Sequence, residues 1–205
     1  MVMTLRRLKS PRRGFSLIEA SVVLAIVGLV TAAIWQVMAS SKQSATANSF
    51  YQQVLLTSRN VRDYFAGRAL PSLATDISTA YTNTVMRAAG VYPEDMCNGS
   101  CLTAPSGAAR NAYGGTAVFA LPDDDANSLP DSNRFTLTFA SIQKRGCVEV
   151  AARLTARAAE FGLASVKIGS NSTITSFPIS LNTLDTQCSS ATSGNTMLLA
   201  FRLRN

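Results

Sequence analysis

From Ala20 to Met38 the chain runs nineteen residues without a charge, and only Ser21, Thr31 and Gln36 interrupt its apolar character. As a helix rising about 1.5 Å per residue, that stretch spans ~28 Å, enough for one bilayer crossing. The pattern then changes without a break. No Pro or Gly occurs between Ser41 and Ala66, and apolar residues fall at Ala47, Phe50, Val54, Val61 and Phe65, with Thr57 or Ser58 filling the gap. Spacings of three and four give an amphipathic helix with one sticky face. Gly67 and then Pro71 supply the stop. Together these features predict a single helix from about Ser16 to about Ala66, ~75 Å long at the helical rise. Its first half is apolar all round and its second half is one-sided.

The remaining pattern is mixed. Asp76 to Gly90 has helical spacing at Ile77, Tyr81, Val85 and Ala88/Ala89, and Gly90 ends it. Tyr92 to Gly115 is rich in Pro, Gly, Asn and Ser and reads as loop. Thr116–Leu121 and Arg134–Ala140 read as strands, the latter alternating Phe135, Leu137 and Phe139. The connector between them, Pro122 to Pro130, is turn-rich. Cys147 to Gly162 is again helical, with Val148, Ala151/Ala152, Leu154/Thr155, Ala158 and Phe161 on one side. Ser165–Ile168, Ile174–Ile179 and Met197–Leu203 follow as short strands. There is no internal repeat. The predicted organisation is a short leader (1–14), a long helix (15–66) and an α+β head (67–205) large enough for one core.

Charge sharpens this picture. The 205 residues carry a net charge of +7, but Arg6, Arg7, Lys9, Arg12 and Arg13 supply five of those charges, leaving +2 for the rest. The basic balance therefore belongs to the leader, which by the positive-inside tendency stays cytoplasmic. A nucleic-acid footprint would need basic residues spread over one face, and no specific nucleic-acid partner is expected. A cleaved secretory signal would have a shorter apolar core followed by an Ala-x-Ala type site. Nothing of that kind follows Met38, so the apolar segment should stay in the mature protein, with the head outside the cytoplasm.

The four cysteines, Cys97, Cys101, Cys147 and Cys188, then lie in a compartment where disulfides persist. Three pairings are possible. Cys97–Cys101 with Cys147–Cys188 is favoured, giving one tight loop and one long closure. On the loop-entropy account these contribute about 2 and about 4 kcal/mol. The rival is a zinc site built from all four, since Cys-x-x-x-Cys falls in the ligand range, but a second closely spaced pair is missing.

Catalysis finds no support in the composition. With no His, mechanisms using imidazole as base are excluded. Lys42, Lys144 and Lys167 have no motif around a Ser nucleophile. Asp123, Asp124 and Asp125 lack a calcium-loop spacing and read as a solvated turn. Asn98-Gly-Ser and Asn171-Ser-Thr match glycan acceptors but read as turns. No metal, no cofactor and no enzymatic activity are expected.

The most specific motif is Arg12-Arg13-Gly14-Phe15-Ser16-Leu17-Ile18-Glu19, leading into the apolar run. A carboxylate at the mouth of a lipid-spanning segment costs ~3 kcal/mol, so Glu19 suggests a partner charge. Gly14 | Phe15-Ser-Leu-Ile-Glu19 resembles the prepilin motif of type IV pilins, and the likeness continues to Val30, including Gly28. The resemblance implies that a prepilin peptidase cuts between Gly14 and Phe15 and methylates the Phe15 amine. It also implies that Glu19 neutralises the amine of a neighbouring subunit during assembly, unless it pairs with its own N-terminus one turn away. Many pilins have a kinking Pro where this chain has Gln36, so no kink is expected there.

The head also resembles the larger type IVb pilins, including conjugative thin-pilus and bundle-forming pilins. Asn111-Ala-Tyr-Gly-Gly115, the helix after Cys147, and Cys188 leading to Gly194-Asn-Thr-Met-Leu-Leu-Ala-Phe-Arg202 carry that likeness. The short leader and Phe15 are closer to type IVa, and the head is the larger body of sequence. A Cys-to-Cys loop near the C-terminus is a hallmark of the family and agrees with Cys147–Cys188. The resemblance implies a structural subunit that polymerises with itself as a helical homopolymer. The prepilin would be a single-pass protein of the bacterial inner membrane, handled by the pilus assembly machinery, and the assembled pilus would lie at the cell surface. The rivals are a type II secretion pseudopilin, a minor or tip pilin, and a membrane-anchored binding module that does not polymerise.

Overall fold

In the computed structural model, residues 16–66, 83–97, 108–121, 134–189 and 193–203 are described. The first element is one helix, α1, Leu17–Phe65. It runs through Gly28 and Gln36 because neither position carries a Pro that would remove a ladder hydrogen bond. Its compact units divide inside the helix, residues up to Ser41 in one and Lys42 onward in the other.

In the second unit, Ala47, Phe50, Val54, Thr57, Ser58, Val61 and Phe65 are all buried, which is the stripe that the three-and-four spacing marks. Thr57 and Ser58 fill the gap in it without an orphaned hydroxyl. Thr57 Oγ1 donates to the Met96 sulfur at 3.5 Å and Ser58 Oγ to the Leu55 carbonyl at 2.9 Å.

A five-stranded antiparallel sheet follows: β1 Ala109–Arg110, β2 Thr116–Ala120, β3 Arg134–Ile142, β4 Leu163–Ile168 and β5 Asn195–Arg202, in the order β1-β2-β3-β5-β4. β3 buries Phe135, Leu137 and Phe139 by strict alternation, as a half-buried strand should. Phe135 lies opposite Phe201 in the β3–β5 register. A stack of rings runs Phe65, Phe119, Phe135, Phe201, with centroids 6.2, 6.2 and 5.4 Å apart, and joins the end of α1 to three strands. Phe50 meets Phe139 and Tyr113 edge-on at 5.1 and 5.7 Å, a favoured aromatic geometry.

The shorter helices are α2 Asn83–Ala88, α3 Lys144–Ala156 and α4 Leu181–Gln187. Several local expectations are corrected. α2 buries Met86 and Arg87, and not the Ala88/Ala89 side; Ile77 and Tyr81, the first part of the expected helix, lie outside the described residues. α2 is anchored at Asn83, whose Oδ1 accepts from the Phe119 N–H (2.9 Å) and the Tyr92 hydroxyl (2.6 Å). In α3 Ala151, Leu154 and Thr155 are buried as the spacing predicts, but the buried valine is Val150, while Val148 is half-buried. The stretch read as loop before Gly115 holds a 3-10 turn at Glu94–Met96 and the two-residue β1.

Ile174–Ile179 is not a strand. Ile174 makes one antiparallel bridge to Val166, and the chain then bends. Pro178 has no N–H to give a ladder. Ser180 next caps α4, its hydroxyl accepting from the Thr183 N–H at 3.2 Å, a helix start that hydrophobic spacing did not reveal.

Candidate assembly helix and disulfide-closed head

Every described side chain from Leu17 to Met38 is exposed, including Val22, Leu24, Ile26, Leu29 and Ile34. The window has a mean hydropathy of 2.4, long and apolar enough to cross a membrane. Its hydroxyls are spent internally. Ser21 donates to the Ile18 carbonyl (2.8 Å), Thr31 to Val27 (2.7 Å) and Ser40 to Val37 (2.9 Å), so none of these hydroxyls is offered unsatisfied to an apolar partner. Glu19 lies in the first turn of α1, where a carboxylate complements the helix dipole. It is exposed, and no ion pair holds it among the described residues. Gly14 and Phe15 lie outside the described residues, so Glu19 is the one residue of the processing and assembly set whose place is given.

The second half of α1 is stitched to the head by polar side chains as well as by its apolar stripe. Gln53 donates from Nε2 to Asp95 (2.7 Å) and accepts at Oε1 from the Ala112 N–H (2.8 Å). Asn60 donates to the Val91 carbonyl at 3.1 Å. Arg62 reaches the carbonyls of Arg202 and Phe161. Burial lowers the Arg62 pKa, with Asp63 acting in the opposite sense.

In the head, Cys147 and Cys188 form a disulfide with their Cα atoms 6.0 Å apart. It joins the first turn of α3 to the C-cap of α4 and closes residues 147–188, which contain most of α3, all of β4 and α4. Three residues back along each helix, Lys144 Nζ pairs with Asp185 at 2.8 Å beside the same joint. Cys97 is also disulfide-bonded. Cys101, its expected partner, lies outside the described residues, as do Asp123, Asp124 and Asp125. Among the described residues no cluster of three His, Cys, Asp or Glu could hold a metal.

Two asparagines, which the sequence placed in stretches of likeness without giving them a role, organise the far end of β3. Asn111 Nδ2 donates to the Ala140 carbonyl (2.7 Å), and its Oδ1 accepts from Tyr113 and Gly115. Asn195 Nδ2 donates to the Ile142 and Ser189 carbonyls (3.0 Å each), and its Oδ1 accepts from the Ser189 N–H (2.7 Å). Between those anchors the β3–β5 register shifts and Ser141 adopts φ 60°. Gly115 and Gly194 press against this bulge: a Cβ on Gly115 would collide with the Ala140 carbonyl, and one on Gly194 would sit 2.6 Å from the Ser141 carbonyl carbon. Gly194 also has φ +74°, which favours glycine.

A long apolar N-terminal helix followed by this antiparallel sheet is the fold of a type IV pilin. A crystal structure of the type IV b pilin from Salmonella typhi is similar at a TM-score of 0.51 and 19% identity, covering 76% of this chain and 97% of that one. The family model described as PilS N terminal matches residues 52–201, and the chain belongs to that family. The prokaryotic N-terminal methylation motif matches residues 9–35. No curated protein matches the chain. Family and fold are structural, not enzymatic.

Proposed function

We propose that this protein is the structural subunit of a bacterial type IV pilus. It is cut by prepilin peptidase between Gly14 and Phe15, methylated on the Phe15 amine, stored in the inner membrane through the first half of α1, and polymerised into an extracellular filament. The observation that carries the reading is the division of one helix at Ser41/Lys42 into a wholly exposed apolar half and a half built into the head. Such a surface is stable only in lipid or against copies of itself. Moving between those two apolar surroundings costs little hydrophobic energy, so assembly can be driven and reversed. Charge then sets the register. In a low-dielectric filament core, Glu19 of one subunit neutralises the Phe15 amine of the next.

Glu19→Ala tests this. Membrane insertion should be kept, since an acidic group is removed from an apolar segment. Cleavage should be kept, since Gly14 and the leader are untouched. Polymerisation should fail, because the neighbouring amine would be buried without a counter-charge, a loss of about 3–5 kcal/mol. Normal filaments from Glu19→Ala protein alone would show that intersubunit pairing at Glu19 is wrong. N-terminal sequencing of the mature chain gives an independent check: any start other than Phe15 rules out the processing step.

A further inference from the structure

Trp35 is the chain's single tryptophan, and it stands 72% exposed on the apolar half of α1. Among the described residues its ring stacks on no other ring and takes no cation, and its indole N–H has no hydrogen-bond partner. Tryptophan is the side chain whose flat apolar body and single donor suit the boundary between acyl chains and headgroups. Its place along the helix agrees. No ionisable residue lies between Glu19 and Lys42, and the polar run Ser40-Ser41-Lys42-Gln43 begins five residues after the indole. Toward the other end, Leu17, the first residue of the helix, is eighteen residues away, ~27 Å along it. That is about one hydrocarbon thickness.

We infer that Trp35 is a lipid-headgroup anchor, seated at the outer boundary of the membrane, and that it fixes the depth of the helix. With the indole held there, Leu17 falls at the inner boundary, and the part of the chain that precedes it in sequence is left on the side where a peptidase works. Glu19 falls a few ångströms inside, within one helical turn of the polar layer. The occupant of this face before assembly is thus the phospholipid interface, not a second copy of the chain. The inference rests on the membrane-stored state proposed above.

Because no other tryptophan is present, fluorescence reads this residue alone. The full-length protein would be reconstituted in phosphatidylcholine–phosphatidylglycerol vesicles carrying bromine either next to the headgroup or near the acyl-chain ends. Lipid brominated next to the headgroup should quench Trp35 more strongly than lipid brominated at the chain ends, with emission shifted to the blue of the urea-unfolded chain. The double variant Trp35→Leu/Ile26→Trp, with its indole near the middle of the span, should reverse that order. Equal or stronger quenching of the wild type by the deep label overturns the anchor. So does weak quenching by both labels, which would place the indole between copies. Failure of the protein to float with the vesicles overturns both the anchor and the membrane-stored state, and so separates the two readings.

Discussion

Residues 17–41 and 42–65 belong to one helix, yet they obey different rules. In the first stretch Leu24, Ile26, Leu29 and Trp35 are exposed, and no described side chain is buried. In the second, Phe50, Val54 and Val61 are completely buried. Helix propensity does not separate the halves, since both are rich in good helix formers and neither contains Pro. What separates them is whether the apolar surface is met within the chain. A one-sided stripe can be satisfied by one sheet, and the rings of Phe139 and Phe119 meet Phe50 and Phe65 there. A surface apolar all round cannot be satisfied by a single sheet face and calls for lipid or like helices around it.

The sharpest way to break this comparison is Phe50→Ala. Its ring is fully buried between Tyr113 and Phe139, so truncation should destabilise the head by about 3–5 kcal/mol. Chemical denaturation of the detergent-solubilised protein would measure it; a loss below ~1 kcal/mol would mean that α1 is not part of the head's core. Next in size is Cys147→Ser. Opening the 41-residue separation to Cys188 should cost about 4 kcal/mol on the loop-entropy account and lower pilin at the surface. Reduction of the wild type also opens the Cys97 bridge and should cost at least as much, and peptide mapping should recover the 147–188 link.

Much of this was legible in the sequence, and where it was not, the reason is sequence distance. The α1 stripe and the alternation of β3 are local periodicities, and the structure buries those residues. Asn111 and Asn195 stand 84 positions apart and act on the same bulge only because β3 lies between β2 and β5. No local pattern announces a meeting set by strand order. The error at Ile174–Ile179 was of another kind. Ile174, Phe177 and Ile179 were read as a short strand, and Pro178 together with the Ser180 cap outweighed them. Glu19 was found through its motif, since the pairing proposed for it needs a neighbour that one chain does not contain.

Asn195→Ala is the next test in size. It would strand the Ser189 N–H and two carbonyls, costing about 1–3 kcal/mol, with the loosening centred on residues 140–142 and 189. Hydrogen exchange should place the lost protection there and leave the core stripe of α1 protected. Uniform loss would contradict the local role. Alkaline pH acts on the head more gently. Burial raises the pKa of Tyr92, and that of Tyr113 is raised by burial and then by Glu149. An unfolded chain releases these protons near 10, while the folded head keeps them, so stability is unaffected below pH 10 and falls as pH rises above it. Tyr92→Phe should flatten that fall, at the separate cost of its hydrogen bond to Asn83. An unchanged alkaline limb would assign the loss to other groups.

The smallest expected effect is the most exacting. Leu24→Ala removes the same kind of apolar bulk from the same helix as Phe50→Ala, but at a residue 71% exposed in the chain. Nothing in the head loses a contact, so the denaturation midpoint of the head should not move. Helix propensity does not oppose the change, since Ala is the better former by a few tenths of a kcal/mol at most. The cost should appear only where the apolar half has found its partner, as weaker vesicle partitioning by about 2 kcal/mol for the lost side-chain area. A measurable drop in head stability from Leu24→Ala would mean that the two halves of α1 are one cooperative unit. An unchanged midpoint with unchanged partitioning would mean that this face of the helix meets neither lipid nor a second copy.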